Sequence, residues 1–319
     1  MKNKIVTPSL VIVASIAATS LASALSVINP NTDYTSSNFS GESLEASAAD
    51  LGSARFFAAN LSNTSWSASG ATTTPDFSAI TNQNFRQAIF DDADWSGLTF
   101  TTDGGAGNQY FYQASFVNAN FSNAVFDLNA SNIISEAFKD ADLTGANFSG
   151  ASITTTSSDI FEGATMGATT NFSNATLMLG DSNTLANLVS AVGVNFSGAT
   201  IRIDLQGTDL SNANFQNVTT VTSDGFNTIF RESLVNNTDF RGTDFSGVGF
   251  ANWLPSLTFD EGSAPLYDDN TIFTTQNGTF DPVAAGWTYA PIPEPSTYAA
   301  FAGVLVLGLA LMKRRMKRA

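Results

Sequence analysis

The residues able to do chemistry in this chain are few in kind. Its 319 residues include no histidine and no cysteine, which excludes a Ser-His-Asp triad, a thiolate nucleophile and any zinc site built from imidazole or thiolate. Carboxylate, hydroxyl, Lys, Arg and Tyr chemistry remains. Two clusters concentrate oxygen donors: Asp91, Asp92 and Asp94, then Asp268, Asp269 and Asn270. Hard cations take such donors, yet neither cluster has the spacing of a calcium loop. Paired acids such as Asp91 and Asp94 are also the groups that flank a glycosidic bond during hydrolysis. No constrained pocket surrounds them in the sequence, so outward, solvated carboxylates are the expectation. No catalytic, cofactor-binding or metal-ligating residue is assigned, no cofactor is expected, and the chain is read as not an enzyme.

Two further patterns belong to the same inventory. Asn38, Asn120, Asn147, Asn171 and Asn195 each open an Asn-x-Ser triplet of the kind that accepts glycans; a repeat in the chain generates them. Thr72 to Thr74 and Thr154 to Thr156 would suit an ordered hydroxyl array only on a flat ladder, and they are expected in insertions instead.

The elements that must position these residues follow a period of five. Large residues recur at Leu51, Phe56, Leu61 and Trp66, at Phe85, Phe90, Trp95 and Phe100, and at Phe111, Phe116, Phe121 and Phe126. They recur again at Phe138, Leu143, Phe148 and Ile153, and at Phe230, Leu234 (one residue early), Phe240, Phe245 and Phe250. A small residue stands two before each, Asn or Asp one before, Ser or Thr one after, and Gly or Asn next, as in Ala141-Asp142-Leu143-Thr144-Gly145. Five fits neither a helix nor a long strand. It fits a short extended segment that ends in a corner, with the Ala and the large residue inward, their polar neighbours outward, and Gly or Asn at the turn.

Four such segments close a square coil, and coils stacked at the spacing of paired strands satisfy one another's backbone. The pattern resembles the pentapeptide repeat family. That resemblance implies an all-β, right-handed quadrilateral β-helix with loop insertions over 38–252, with Phe at the central position more often than Leu. The register breaks after Trp66, Phe100 and Phe126 and resumes four units later, so these three insertions are expected at one corner of successive coils; longer breaks follow near Leu177 and Phe215. Variable loops on one face are where a solenoid binds, if it binds. Residues 25–37 are expected to cover one end of the stack. Residues 253–290, with Trp253, Pro255, Phe259, Phe273, Phe280 and Trp287, are a cap for the other end or a spacer.

The last residues carry an address. Pro293, Glu294, Pro295, Ser296 and Thr297 precede an apolar run from Tyr298 to Met312 and then Lys313, Arg314, Arg315, Lys317 and Arg318. The run is shorter than the roughly 20 residues of an ordinary spanning helix, and the cations behind it would stay on the cytoplasmic side. Motif, short hydrophobic helix and basic cluster together resemble the PEP-CTERM sorting signal over 291–319, with a transmembrane helix at 298–312. The resemblance implies cleavage near the motif by an exosortase in the inner membrane of a Gram-negative-type bacterium, then delivery to the envelope, surface or extracellular matrix. At the other end, Lys2 and Lys4 precede an apolar stretch from Leu10 to Ala18, and Ala22 and Ala24 supply the small residues of a signal peptidase site. Residues 1–24 therefore read as a signal peptide.

Between these two segments lie 27 of the 28 acids and only Arg55, Arg86, Lys139, Arg202, Arg231 and Arg241, a net charge of −21. Such a surface repels phosphate backbones, so no nucleic acid is expected as a partner. The expected partners are the signal peptidase, the exosortase-type enzyme, the membrane before processing and surface polysaccharide. The function expected is that of an exported surface or matrix interaction protein, associated with exopolysaccharide through loops that Trp66, Trp95, Tyr110 and Tyr112 lie beside, with Trp66 and Trp95 at core positions and expected to be buried. The alternative is an acidic rod that mimics DNA and binds gyrase, as the resemblance to cytoplasmic pentapeptide repeat proteins implies. A polysaccharide-active β-helix enzyme is the lesser alternative.

Overall fold

The structure, a computed structural model, describes residues 25–29, 32–46, 55–68, 85–101, 111–128, 137–155, 160–180, 191–223, 227–249 and 251–291. The expected leader, with Ala22 and Ala24, and the tail from Pro293 to Arg318 lie outside these residues. Among the described residues no helix is long and apolar enough to cross a membrane.

Alternation over three residues is enough to make each short strand, and parallel stacking makes the fold. Strands β1 (Leu25–Val27), β2 (Ser43–Ala46) and β3 (Ser65–Ala68) pair in that order, in parallel. A second sheet stacks β4 (Thr99–Thr101), β5 (Val125–Asp127), β6 (Ser152–Thr154), β7 (Thr176–Met178), β8 (Thr200–Arg202) and β9 (Thr219–Thr220), each in register with the next. The central residues Phe126, Ile153, Leu177 and Ile201 align and are buried. Further columns of single bridges run through Ile89, Ser115, Asp142 and Thr165, and through Asp94, Asn120, Asn147, Asn171, Asn195 and Asn214. A last column is marked by Phe111 N–H to Ala137 O at 3.0 Å and Phe138 N–H to Ile160 O at 2.8 Å. The chain is thus an all-β solenoid with four columns per coil.

Interior side chains stack on their own kind. Tyr34, Phe56, Phe85, Phe111, Phe138 and Phe161 form one pile, with neighbouring centroids 5.0–5.8 Å apart and planes within 24°. Phe121, Phe148, Phe172, Phe196 and Phe215 form another at 4.7–5.4 Å. Each such pair adds about 0.5–1.5 kcal/mol beyond the burial of its rings. The small partner two residues earlier is buried too, as with Ala88, Ala93, Ala114, Ala119, Ala141 and Ala146. Where Ser or Thr replaces that Ala, its hydroxyl donates to a carbonyl one coil away: Ser233 to Leu205, Thr238 to Leu210 and Thr243 to Phe215, at 2.5–2.8 Å.

At many corners the residue two after the large one has positive φ, as at Asn118, Asn123, Gly145 and Gly150. At Gly145 and Gly150 there is a second demand, because a Cβ would run into the Asn118 and Asn123 side chains of the coil below.

Three expectations about register need correction. The five-residue period is unbroken at Val235, which is fully buried, whereas Leu234 occupies the outward position and bridges Asp209 and Thr258. Size misidentified the inward residue; alternation from Phe230 identifies it. The exits of the insertions also differ. Phe100 and Phe126 pair in β4 and β5, but Ser65 of β3 aligns with Asp94, so the segment after Trp66 leaves one face earlier than those after Phe100 and Phe126. That coil makes one fewer regular side before its insertion. The break near Phe215 falls one unit later, since Phe215 is followed in register by buried Thr220 in β9.

Parallel pairing continues beyond 38–252 in both directions. Asp33 bridges Arg55 upstream, and Asp239 and Asp244 bridge Leu266 and Ile272 downstream. After a 3-10 turn at Ala251–Ser256, β10 (Leu266–Tyr267) pairs in parallel with β13 (Thr288–Tyr289), and β11 (Thr274–Thr275) forms a hairpin with β12 (Gly278–Thr279). Trp287 stacks on Phe240 at 5.2 Å and Phe273 on Phe245 at 5.7 Å, so aromatic rings cover the interior at this end.

Candidate functional site

The carboxylates singled out for chemistry serve the backbone. Asp91 Oδ1 accepts from the Ser115 hydroxyl at 2.5 Å and from the Val117 N–H at 3.1 Å, both one coil away. Asp94 Oδ1 accepts from the Ser96 N–H at 3.1 Å and from Asn120 Nδ2 at 3.0 Å. Asp92 lies at a positive-φ corner, with φ 56°. These are coil-joining and turn-closing bonds, of the kind in which Asx side chains mimic a turn of backbone.

The second cluster sits at the downstream end. Asp268 is buried, and its Oδ1 accepts from the Gly242 and Asn270 N–H groups and from the Thr271 hydroxyl at 2.8–3.1 Å. It stands where the next coil's carbonyl would otherwise receive Gly242. Its Oδ2 is buried and accepts no hydrogen bond from the described residues. Asp269 points the other way and accepts from the Tyr289 hydroxyl at 2.6 Å, which pushes the phenol pKa upward. No group of three or more acids gathers as a metal site among the described residues.

The Asn-x-Ser positions form a side-chain ladder. Asn147 Nδ2 donates to Asn120 Oδ1 at 3.3 Å, Asn171 to Asn147 at 3.1 Å and Asn195 to Asn171 at 3.0 Å. Each Oδ1 also closes its own turn by accepting the N–H two residues on, as Ser122, Ser149, Ser173 and Ser197 show. Asn38 makes the turn bond to Ser40 at 3.2 Å. Amides so engaged are structural.

Other expected positions divide. Trp95 is fully buried and stacks on Phe100, as its place in the five-residue period predicts, and offers no ring to a ligand. Tyr110 and Thr72 to Thr74 lie outside the described residues. Thr154 is in β6 rather than in an insertion, with Thr155 buried behind it; the following break begins later than the threonine run suggests.

Two features went unread in the sequence. Arg86 places its guanidinium over the Tyr112 ring, 4.3 Å from the centroid, and the signal available was that both residues follow a core Phe in consecutive coils. Asp239 receives Arg241 through two guanidinium nitrogens, at 2.6 and 2.9 Å, and a Gln216 amide from the preceding coil. Burial works to raise the Asp239 pKa, but these donors outweigh it and hold the carboxyl below its ordinary range.

No family model matches the chain, and no curated protein matches it. Among solved structures it is similar to HetL, a pentapeptide repeat protein involved in heterocyst differentiation regulation in the cyanobacterium Nostoc sp., with 14% identity over 80% of this chain and 82% of that one, and a TM-score of 0.25. It is also similar to QnrB1, a plasmid-mediated fluoroquinolone resistance protein, with 14% identity over 74% and 90% of the two chains and a TM-score of 0.29. At these values the solenoid rests on the chain's own parallel ladders.

Proposed function

We propose that this protein is an exported pentapeptide-repeat solenoid, delivered to the cell surface or extracellular matrix as a structural or interaction protein. The observation that carries the proposal is the tail: Pro293-Glu294-Pro295-Ser296-Thr297, the apolar run to Met312, and five cations. Ala22 and Ala24 supply the matching leader site at the other end. Signal peptidase and an exosortase-type enzyme are the processing partners, with the inner membrane as a temporary anchor. An interaction role suits a body whose best-placed acids and amides are spent on holding coils together. The test is the location and intact mass of the protein in its host. An envelope or secreted species lacking the first 24 residues and the tail after about Pro293 is expected; a cytoplasmic, uncleaved chain overturns the reading.

The charge favours a second reading. A body of net −21 in repeating coils presents acids in the manner of a polyanion, as a DNA mimic that binds gyrase would. A supercoiling assay separates the two, because inhibition at low concentration of the full chain would establish the mimic and displace the surface role.

A further inference from the structure

One corner of the solenoid differs from the others. Phe57, Arg86, Tyr112, Lys139 and Glu162 follow the core residue in five successive coils. They are stacked by N–H bonds from Ala58 to Arg86, Gln87 to Tyr112, Gln113 to Lys139 and Asp140 to Glu162, at 2.8–3.0 Å. The equivalent positions beside the Asn ladder hold Ser122, Ser149, Ser173 and Ser197.

Among the described residues Arg86 is partnered differently from the other cations of this acidic body. Lys139, Arg231 and Arg241 meet carboxylates at 2.8, 3.8 and 2.6 Å. Arg202 is buried, donating to the Leu179 and Ser223 carbonyls. Arg55 adds its field to the Thr35 hydrogen bonds that hold the Asp33 carboxyl below its usual range. Arg86 instead rests on the Tyr112 ring. A guanidinium on a ring face keeps its charge and presents its N–H donors at its edge, in the geometry that takes a carboxylate through two bonds. Around it are an amide pair, Gln87 Nε2 to Gln113 Oε1 at 2.9 Å, and the Tyr112 hydroxyl, which accepts from Gln113 at 3.2 Å. Phe57, 36% exposed, adds an apolar face one coil away. A sugar acid offers the matching set: a carboxylate, hydroxyls and an apolar ring face.

We propose that Arg86, stacked on Tyr112 and flanked by Phe57 and the Gln87–Gln113 pair, binds the carboxylate of a uronate unit in an acidic polysaccharide. The proposal rests on the surface reading above, since that is where such a polymer is met. Its salt dependence is distinctive. The net charge, −15 for the full chain, repels a polyanion at long range, and this repulsion is screened as the Debye length falls to about 8 Å at physiological salt, while the contact pair is screened less. Binding therefore strengthens from low to physiological ionic strength, the reverse of a basic protein on the same polymer.

The experiment is retention of the detergent-solubilised full chain on immobilised polygalacturonate, with chelator present, against cellulose as a neutral control. Retention that rises toward physiological salt is expected, with at least a tenfold loss in Arg86→Ala and in the longer Arg86→Gln, and no change in Arg231→Ala. Unchanged unfolding midpoints show that the variants fold. No retention at any salt, retention by either Arg86 variant equal to that of the unmutated chain, or retention on cellulose alone overturns the proposal. The two readings fail separately. An exported, processed protein that ignores polygalacturonate loses only this site, and an uncleaved cytoplasmic protein that binds polygalacturonate through Arg86 loses only the surface role.

Discussion

The side-chain amide of Asn120 donates to the Asp94 carboxylate of the preceding coil at 3.0 Å, and the same Asp94 oxygen closes its own turn by accepting the Ser96 N–H. Every later rung, through Asn147, Asn171 and Asn195, repeats this with an amide acceptor, so the ladder is polar and Asp94 is its acceptor end. The acid at 94 is a terminus, and the amides beyond it must both give and take.

That polarity sets unequal costs for similar substitutions. Asp94→Asn keeps the accepting oxygen and is expected to change stability by less than about 0.5 kcal/mol. Asn147→Asp removes the donor to Asn120 and sets a carboxylate oxygen against the Asn120 carbonyl oxygen, at a cost of about 1–3 kcal/mol. Urea unfolding midpoints of the full chain check the pair; equal midpoints would remove the ladder from the account of stability.

Phe148 is fully buried between Phe121 and Phe172, with centroids at 4.7 and 4.8 Å. Phe148→Ala opens a hole that neighbours locked in their own stacks cannot fill, and about 3–5 kcal/mol is lost. Phe148→Leu, the residue that Leu143 already supplies at another core position, is expected to recover more than half of that in the same unfolding measurement.

At Gly247 the chain passes so close to the preceding coil that an added Cβ would overlap the backbone of Thr220 and Val221. Backbone cannot move aside as a side-chain tip can, so Gly247→Ala is expected to lower stability by more than about 2 kcal/mol, in the range of overpacked cores. Gly97→Ala, where no neighbour lies within 4 Å and only a positive φ of 68° opposes the change, is expected to cost about 1 kcal/mol. Thermal unfolding of the two variants tests the ordering.

The Asp239 carboxyl titrates below its ordinary range in the folded chain because Arg241 and Gln216 outweigh its burial. Its contribution is therefore complete above the unfolded value of about 3.9 and is lost as pH falls through the lower folded value. Arg241→Ala removes two of the donors and exposes the burial penalty, so acid unfolding should begin at higher pH, with little change in the pH dependence above neutrality. An unaltered acid limb would show that the ion pair is spent in solvent screening.

The five-residue pattern was legible because inward and outward residues alternate in every strand, and the pairs Ala141 with Leu143 and Ala146 with Phe148 state both sides of that alternation in consecutive units. It failed at Leu234 because an outward position tolerates an apolar side chain, so size alone does not mark the interior; Val235 does. It failed at Trp66 because a coil's number of regular sides is set by which segment it pairs with, and Ser65 pairs with Asp94, 29 residues on.

The chemistry of the site followed the same division. Absence of His and Cys, a body charge of −21 and the composition of both ends are properties of the chain as written, independent of how it folds. That Asp91 and Asp94 are backbone acceptors and that Arg86 lies on Tyr112 rather than beside an acid among the described residues were decided by stacking. In a solenoid each residue's neighbours are one coil away, roughly twenty to thirty positions along the chain, and a spacing that varies with every insertion can be read only once the coils are closed.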